Sequence, residues 1–317
     1  MPFAEAKTLD KALIPVIDIK PLIDNSDPVS VATNLYKASQ EIGFLYVKGH
    51  GIPQLVIDNA RSDAMNFFNL SNSRKEQVSL HGVHRGWIGP NRAIMDKNMK
   101  ADLKESFIWG AEISKEQLSN KHYAYGENRW PISPPDFKDH SLAFFEQTDI
   151  VARQLLRGFA LSLGLEEDFF MSDGTQALTR ASYVFYPSQS EKMGKDQFGV
   201  GPHTDFGVLT VLSQDHIGGL QVLDLKGEWV HAPPIEGTLV VNVGDLLSRW
   251  TDGIFRSTPH RVVNRSGKER LSLVLAYDPA PSTMIDPLDV LGNHHSTQHK
   301  PITCGDYLTW RFEKSFS

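Results

Sequence analysis

In His203-Thr204-Asp205 an imidazole and a carboxylate stand two residues apart. On extended backbone, residues i and i+2 project from the same face, so both side chains can reach one metal ion. Alone the signal is weak, because 12 His and 38 acidic residues in a chain of 317 give roughly one such triplet by chance. A third ligand candidate, His260, opens a β-rich run after Ser257-Thr258-Pro259, 55 residues beyond Asp205. Two imidazoles and one carboxylate on one side of an ion make a facial triad that suits Fe(II) and leaves positions open for a co-substrate and oxygen. A zinc hydrolase could use the same three ligands, so the triad alone does not select the chemistry.

Arg270-Leu271-Ser272 repeats the i, i+2 geometry with a guanidinium and a hydroxyl. An inward-facing Arg among Leu271, Leu273, Val274 and Leu275 is costly unless it meets an anion. Guanidinium plus hydroxyl is a natural clamp for a carboxylate; the alternative is an ion pair with a protein Asp or Glu. Trp87, Phe107, Trp109 and Phe185 are candidate walls of a substrate pocket that excludes water, although aromatic residues more often fill plain core. Arg85 and Arg180 could meet an acidic substrate, solvated Arg being the default. His50, His216 and His231 read as loop or strand-end residues, and His294-His295 with His299 as a polar surface loop. Cys304 has no feature that would activate its thiol.

These side chains need a scaffold, and the sequence describes one. Ile14 to Ile19 reads as a strand, and Asp27-Pro28 as an N-cap and first-turn proline before Val31, Leu35, Ala38 and Ile42 at helical spacing. Phe44 to Val47 is a strand ending at Gly49-His50-Gly51. A helix follows Pro53 with Val56, Ala60, Ala64 and Phe67 on one face, and another runs from about Ser141 to Leu163 through Phe145, Ala152, Leu155 and Phe159. Ala111 to Asp139, with three prolines, reads as a long surface connection. From Thr179 onward short β-rich runs alternate with turn signals: Ser182–Tyr186, Val208–Leu212, Leu220–Leu223, Glu228–His231, Thr238–Val241, His260–Val263 and Leu271–Tyr277. The one helix expected there is Leu246 to Trp250, capped by Asp245. Many short strands predict a sandwich, jelly roll or barrel, wrapped here by N-terminal helices.

Composition removes other classes. The 32 Lys+Arg against 38 Asp+Glu give a net charge of -6, with no basic excess for nucleic acid. A single cysteine excludes an internal disulfide and a Cys-rich zinc site, so any metal rests on His, Asp and Glu. No signal peptide, membrane span or lipidation motif is evident, and the expected location is cytoplasmic. The oligomeric state is not encoded legibly.

The run from Gly201-Pro202-His203-Thr204-Asp205-Phe206-Gly207 to Thr210, then Gln214-Asp215, resembles the metal-binding segment of the isopenicillin N synthase-like family of iron- and 2-oxoglutarate-dependent dioxygenases. Gly218-Gly219-Leu220-Gln221-Val222, Trp229-Val230, Asn242-Val243-Gly244-Asp245 and Ser257 to Val262 continue the resemblance in order. It extends to Ile14-Pro15-Val16-Ile17-Asp18, to Gly43 through Pro53, and to Asp102 through Phe107, so nearly the whole chain is covered. The resemblance implies a mainly β fold with flanking helices: residues 1–175 form an N-terminal mixed α/β part of the same unit, and 176–317 a double-stranded β-helix (jelly-roll) core with a C-terminal tail. It also implies Fe(II) on His203, Asp205 and His260, with the C5 carboxylate of 2-oxoglutarate on Arg270, Ser272 and Tyr186. O2 is the oxidant, ascorbate a candidate reductant, and the substrate a small molecule, usually hydroxylated. Val184 departs from the Asn many members carry, and Thr251-Asp252-Gly253 from the commoner Thr-Asn-Gly. Asn242, Gly244 and Asp245 read as structural rather than catalytic. Alternatives are a same-fold oxidase that grips its substrate's own carboxylate with Arg270 and Ser272, and a relative that binds ligand without turnover.

Overall fold

Two β-sheets face one another in the computed structural model, which describes residues 14–80, 85–90, 102–113, 126–171, 177–188, 198–292 and 294–316. The strands in chain order are β1 (Val16–Asp18), β2 (Phe44–Lys48), β3 (Gly86–Ile88), β4 (Glu105–Gly110), β5 (Arg180–Tyr186), β6 (Val200–His203) and β7 (Leu209–Ser213). They continue with β8 (Leu220–Leu223), β9 (Trp229–His231), β10 (Leu239–Val243), β11 (His260–Val262), β12 (Arg270–Tyr277), β13 (Met284–Ile285) and β14 (Ile302–Thr303). The major sheet has the order β1-β2-β10-β7-β12-β5-β4-β3, and the minor sheet β6-β11-β8-β9. Antiparallel β10, β7, β12 and β5 opposite the minor sheet make the jelly roll, and the first four strands widen its major sheet at both edges.

Both faces of the major sheet are buried, and strand alternation sorts residues between them. Odd-numbered positions of β5, β7, β10 and β12 (Tyr183, Val211, Val241, Leu273 and their neighbours) join one large apolar core. Even-numbered Tyr186, Val184, Leu212 and Val240 join a smaller cluster inside the jelly roll with Val200, Val222 and Val262 of the minor sheet. The helices cover the first face: α1 (Lys20–Ile23), α2 (Pro28–Glu41), α3 (Gln54–Phe68), α4 (Asn72–Lys75) and the long α5 (Phe137–Ser162). Asp27 caps α2 as its sequence suggests, its Oδ1 accepting from Ser30 N at 3.1 Å. On α3 the buried stripe is Ile57, Ala60, Ala64, Phe67 and Phe68, with Val56 only partly covered.

Two strands appear where the sequence carries no expectation, and two expectations change. The strands β3 and β4 carry no alternating pattern, because Glu105 is a buried polar residue. Its Oε2 accepts from Lys75 Nζ at 2.7 Å and from Trp87 Nε1 at 2.8 Å, so a satisfied ion pair stands where an apolar side chain would have signalled a strand. The connection from Ala111 to Asp139 is not all surface: α5 begins at the fully buried Phe137, Trp130 packs on the core, and 114–125 lie outside the described residues. The C-terminal region holds more than one helix, since α6 (Asp245–Trp250) is followed by α7 (Pro287–Leu291) and α8 (Cys304–Phe316). Among the described residues no helix is long and apolar enough to cross a membrane.

The aromatic residues offered as pocket walls occupy the helix-side core. Phe107 meets Phe67 and Phe137 edge-on at 5.1 and 4.9 Å, Phe185 stacks on Phe68 at 5.1 Å, and Trp109 lies 4.3 Å from Tyr183. Trp87 is buried beside Glu105. Phe107, Trp109 and Phe185 are odd-numbered on β4 and β5, where odd positions turn away from the jelly roll. Phe107→Ala should therefore lower unfolding free energy by about 3–5 kcal/mol in a denaturant titration. It should leave 2-oxoglutarate affinity of the folded protein unchanged; the opposite pattern would put Phe107 in the site.

Candidate active site

A cavity of about 270 Å³ opens between the two sheets, with His203, Asp205, His260, Tyr186 and Val184 on its wall. Strand pairing brings the histidines together. β6 and β11 run antiparallel with His203 directly opposite His260, and the ring centroids are 4.2 Å apart. Asp205 follows β6, and its Oδ1 lies 3.7 Å from Nε2 of each histidine. The three ligand atoms all fall within 4.8 Å of one another, the only such His/Cys/Asp/Glu cluster among the described residues. Atoms bound 2.0–2.2 Å from one ion can be this close, so the donor set fits a single metal.

Each ligand is held by the groups around it. His203 Nδ1 donates to Gly201 O at 2.8 Å and His260 Nδ1 to Thr258 O at 3.3 Å. A carbonyl only accepts, so Nδ1 carries a proton in both rings and Nε2 is the atom turned toward Asp205. Burial, then the neighbouring His260, pushes the His203 imidazole down to about 3, which keeps it neutral and ligand-ready. Burial works to raise the Asp205 carboxyl. The two histidines and hydrogen bonds from Asn242 and Thr210 outweigh it and hold the group below its ordinary value. Thr210 Oγ1 and Asn242 Nδ2 both donate to Asp205 Oδ2, at 2.6 and 2.8 Å, leaving Oδ1 for the ion.

Asn242 and Thr210 thus orient the Asp205 carboxylate, a positioning role within the structural one that the sequence suggests for Asn242. Gly244 is needed for close approach: a Cβ there would collide with the Gly207 carbonyl oxygen. This contact lets Asp245 N reach Asp205 O at 2.7 Å. Asp245 does not cap α6; Gly244 takes the N-cap position. The Asp245 carboxylate instead accepts from Ser257 Oγ at 2.5 Å and Thr204 Oγ1 at 3.1 Å, and pairs with Arg311 at 2.9 Å. His294 and His295 are exposed and His299 contacts Arg249, so that cluster stays a surface loop. Burial raises the Cys304 thiol well above its ordinary value, consistent with an inert group.

Arg270 and Ser272 sit on the jelly-roll face of β12, opposite Tyr186 and Val184 of β5. Both are buried, at 0% and 1% exposure. Arg270 Nε donates to Gly218 O at 2.5 Å, and the guanidinium lies over the Tyr186 ring at 4.7 Å. Burial pushes the Tyr186 phenol up to about 12, with Arg270 working in the other direction. Arg270 Nη1, Nη2 and Ser272 Oγ have no hydrogen-bond partner among the described residues, and no carboxylate pairs with Arg270 there. Three buried, unspent donors on one strand face fit a carboxylate and disfavour a protein ion pair.

Leu271, between the clamp residues, is anchored outside the ladder. Pairing of β12 with β7 starts only at Leu273, so the Leu271 N–H and C=O on that side lack a strand. Asp215 Oδ2 accepts from Leu271 N at 2.6 Å, and Arg61 Nη1 donates to Leu271 O at 2.9 Å while its Nη2 donates to Ser213 and Gln214. The sequence reading passes over Arg61; its signal is a charged residue inside the apolar stripe of α3.

Residues 175–279 match the 2OG-Fe(II) oxygenase superfamily, and residues 14–133 match the N-terminal region described as non-haem dioxygenase in morphine synthesis. A homoarginine-6-hydroxylase of Glycine max is 34% identical, covering 97% of this chain and 98% of its own. The 2-oxoglutarate-Fe(II) type oxidoreductase hxnY of Emericella nidulans is 30% identical over 95% of this chain and 90% of its own. A full-length Neurospora crassa protein crystallised with alpha-KG superposes with a TM-score of 0.84 at 28% identity, covering 99% of this chain and 100% of that one. The chain belongs to the 2OG-Fe(II) oxygenase superfamily. It is a non-haem iron, 2-oxoglutarate-dependent oxidoreductase with the jelly-roll core of that class.

Removing the anchor of Leu271 tests how the clamp is positioned. Asp215→Ala should weaken 2-oxoglutarate binding by about 1 kcal/mol, part of the cost of an unsatisfied buried N–H. Calorimetric titration of the Ni(II)-loaded protein measures it, and metal affinity should not move. Unchanged 2-oxoglutarate affinity would show that the strand holds its place without Asp215.

Proposed function

We propose that this protein hydroxylates a small organic molecule, with Fe(II) held by His203, Asp205 and His260 and the C5 carboxylate of 2-oxoglutarate held by Arg270 and Ser272. The observation that carries the reading is the pair of buried side chains with unspent donors on the same jelly-roll interior as a convergent His/Asp/His set. The overall reaction consumes substrate C–H, O2 and 2-oxoglutarate and yields C–OH, succinate and CO2, one oxygen atom entering the substrate and the other succinate. Bound Fe(II) supplies the centre at which O2 is reduced, and ascorbate would serve to keep it ferrous.

The chain's own part is to bind, orient and exclude water. Arg270 and Ser272 fix one end of the co-substrate, the Tyr186 ring backs the guanidinium, and Thr210 with Asn242 set the carboxylate ligand. Val184, Leu212 and Val274 line the cavity with apolar surface. Small substrates accord with the relatives: one is named for acting on homoarginine, and the Neurospora crassa protein has also been crystallised with thymine.

His203→Ala or Asp205→Ala should abolish Fe(II) binding and turnover while the protein stays folded, because the apolar cores do not draw on these side chains. Near-normal iron affinity in both variants would place the ligands elsewhere. Arg270→Lys keeps the charge but loses the two-pronged donor set, so 2-oxoglutarate affinity should fall by about 1.5–3 kcal/mol, and Ser272→Ala should cost about 1 kcal/mol. Melting temperature should change little in either. A large fall in melting temperature with unchanged co-substrate affinity would mean that Arg270 pairs within the protein.

A further inference from the structure

At the far end of β5 from Tyr186 stands a second inward-facing guanidinium, Arg180. Positions 180, 182, 184 and 186 share the jelly-roll face, so Arg180 and Tyr186 lie about 20 Å apart on one wall. Register places Arg180 at the metal level. It pairs with Ala276, Ala276 with Thr210, and Thr210 with Asn242, and these last two hold Asp205. Two interstrand spacings, roughly 10 Å, separate the Arg180 backbone from Thr210. The side chain between them is only that of Ala276, which leaves the cavity open along this row.

The guanidinium pairs with the buried Asp278 but keeps a donor free. Its Nη2 reaches Asp278 Oδ2 at a long 3.4 Å, its Cζ lies 4.9 Å from the Phe312 ring, and its buried Nε has no hydrogen-bond partner among the described residues. Asp278 is shared, since its Oδ1 also accepts from Val208 N at 3.1 Å, and burial pushes its carboxyl up to about 7 despite Arg180. The only acid on the cavity wall among the described residues is the metal-ligand candidate Asp205, whereas Lys104 joins Arg180 as a second cation there. Lys104 is 3.2 Å from Asp102, which lies behind the wall.

We propose that Arg180 is a specificity-determining residue that binds an anionic group, a carboxylate, on the primary substrate, and thereby presents the rest of that molecule to the metal site. This rests on the oxygenase reading and names the substrate class for it. The geometry matches the chemistry: a planar fork of donors beside an aromatic ring suits a planar oxyanion, and an apolar wall of Ile108, Val184 and Phe206 suits a hydrocarbon body.

The test uses the full chain saturated with Ni(II) and 2-oxoglutarate, so that a probe acid cannot take the Arg270 site. Small aromatic and aliphatic monocarboxylic acids are titrated against their matched primary amides, with binding read by calorimetry. Acids should bind about tenfold or more tightly than their amides, the equivalent of one charge-assisted hydrogen bond. Arg180→Gln should erase that preference and Arg180→Lys keep part of it, both with unchanged 2-oxoglutarate affinity. A panel in which no acid outbinds its amide overturns the proposal with the parent protein alone, whatever the variants do. An acid preference that survives Arg180→Gln overturns it too and transfers the role to another cation. Failure of the oxygenase reading is separate, since it would appear as absent 2-oxoglutarate binding before any probe is added.

Discussion

The two-residue alternation of the major sheet is the constraint on which the rest depends. Both faces are buried, and the same four strands supply an apolar face to the helices and a functional face to the jelly roll. Slipping β12 by one residue would drive Arg270 into a core of Leu, Phe and Tyr side chains and turn Leu271 toward the cavity. Register is therefore enforced by the free energy of burying the helix-side residues. Helices α3 and α5 place no side chain on the cavity wall, yet by packing on β12 they keep Arg270 and Ser272 facing inward. Arg61 makes that link local, tying α3 to the carbonyl of Leu271.

A second dependency runs through the loops that flank the triad. Asp205 spends one carboxylate oxygen and its backbone carbonyl on the protein, which leaves one oxygen for an ion. Asp245 ties Thr204, beside Asp205, to Ser257, shortly before His260, and both to Arg311 of α8. The next residue of α8, Phe312, lies on the cavity wall against Arg180. The C-terminal helix is thus wired to the segments that carry the His203/Asp205/His260 cluster through one carboxylate, and to the Arg180 end of the cavity through one ring.

What was legible in the sequence follows from how far each signal extends. His203 with Asp205 and Arg270 with Ser272 show as i, i+2 pairs, although β6 ends at His203 and Asp205 lies just past it, and the jelly roll shows in the turn signals between short β-rich runs. The aromatic residues mislead because residue type says nothing of which face a strand turns inward. Placing Phe107, Trp109 and Phe185 requires the register of β4 on β5, a long-range property. Strands β3 and β4 are obscured because the Lys75–Glu105 pair replaces apolar contacts at a buried position. Asp245 looks like a helix cap by type and position, but its oxygens are taken by partners up to 66 residues away in sequence, which no local pattern encodes.

The clamp also carries an energetic consequence. A guanidinium with no exposure and two nitrogens lacking protein partners is costly in the absence of an anion. The protein tolerates it because Gly218 O, the Tyr186 ring and the anchored backbone of Leu271 hold the group where a carboxylate can meet it without rearrangement. On the proposed reading, a co-substrate carboxylate would meet donors that folding has already taken out of water, so part of its affinity would come from that earlier desolvation rather than from new contacts alone. By linkage the same ligand would stabilise the fold, by about 2.7 kcal/mol at a hundredfold excess over its dissociation constant. Co-substrate affinity and stability of the jelly roll would then be two readings of one interaction, located on the strand that pairs with β5 along one edge and with β7 along the other.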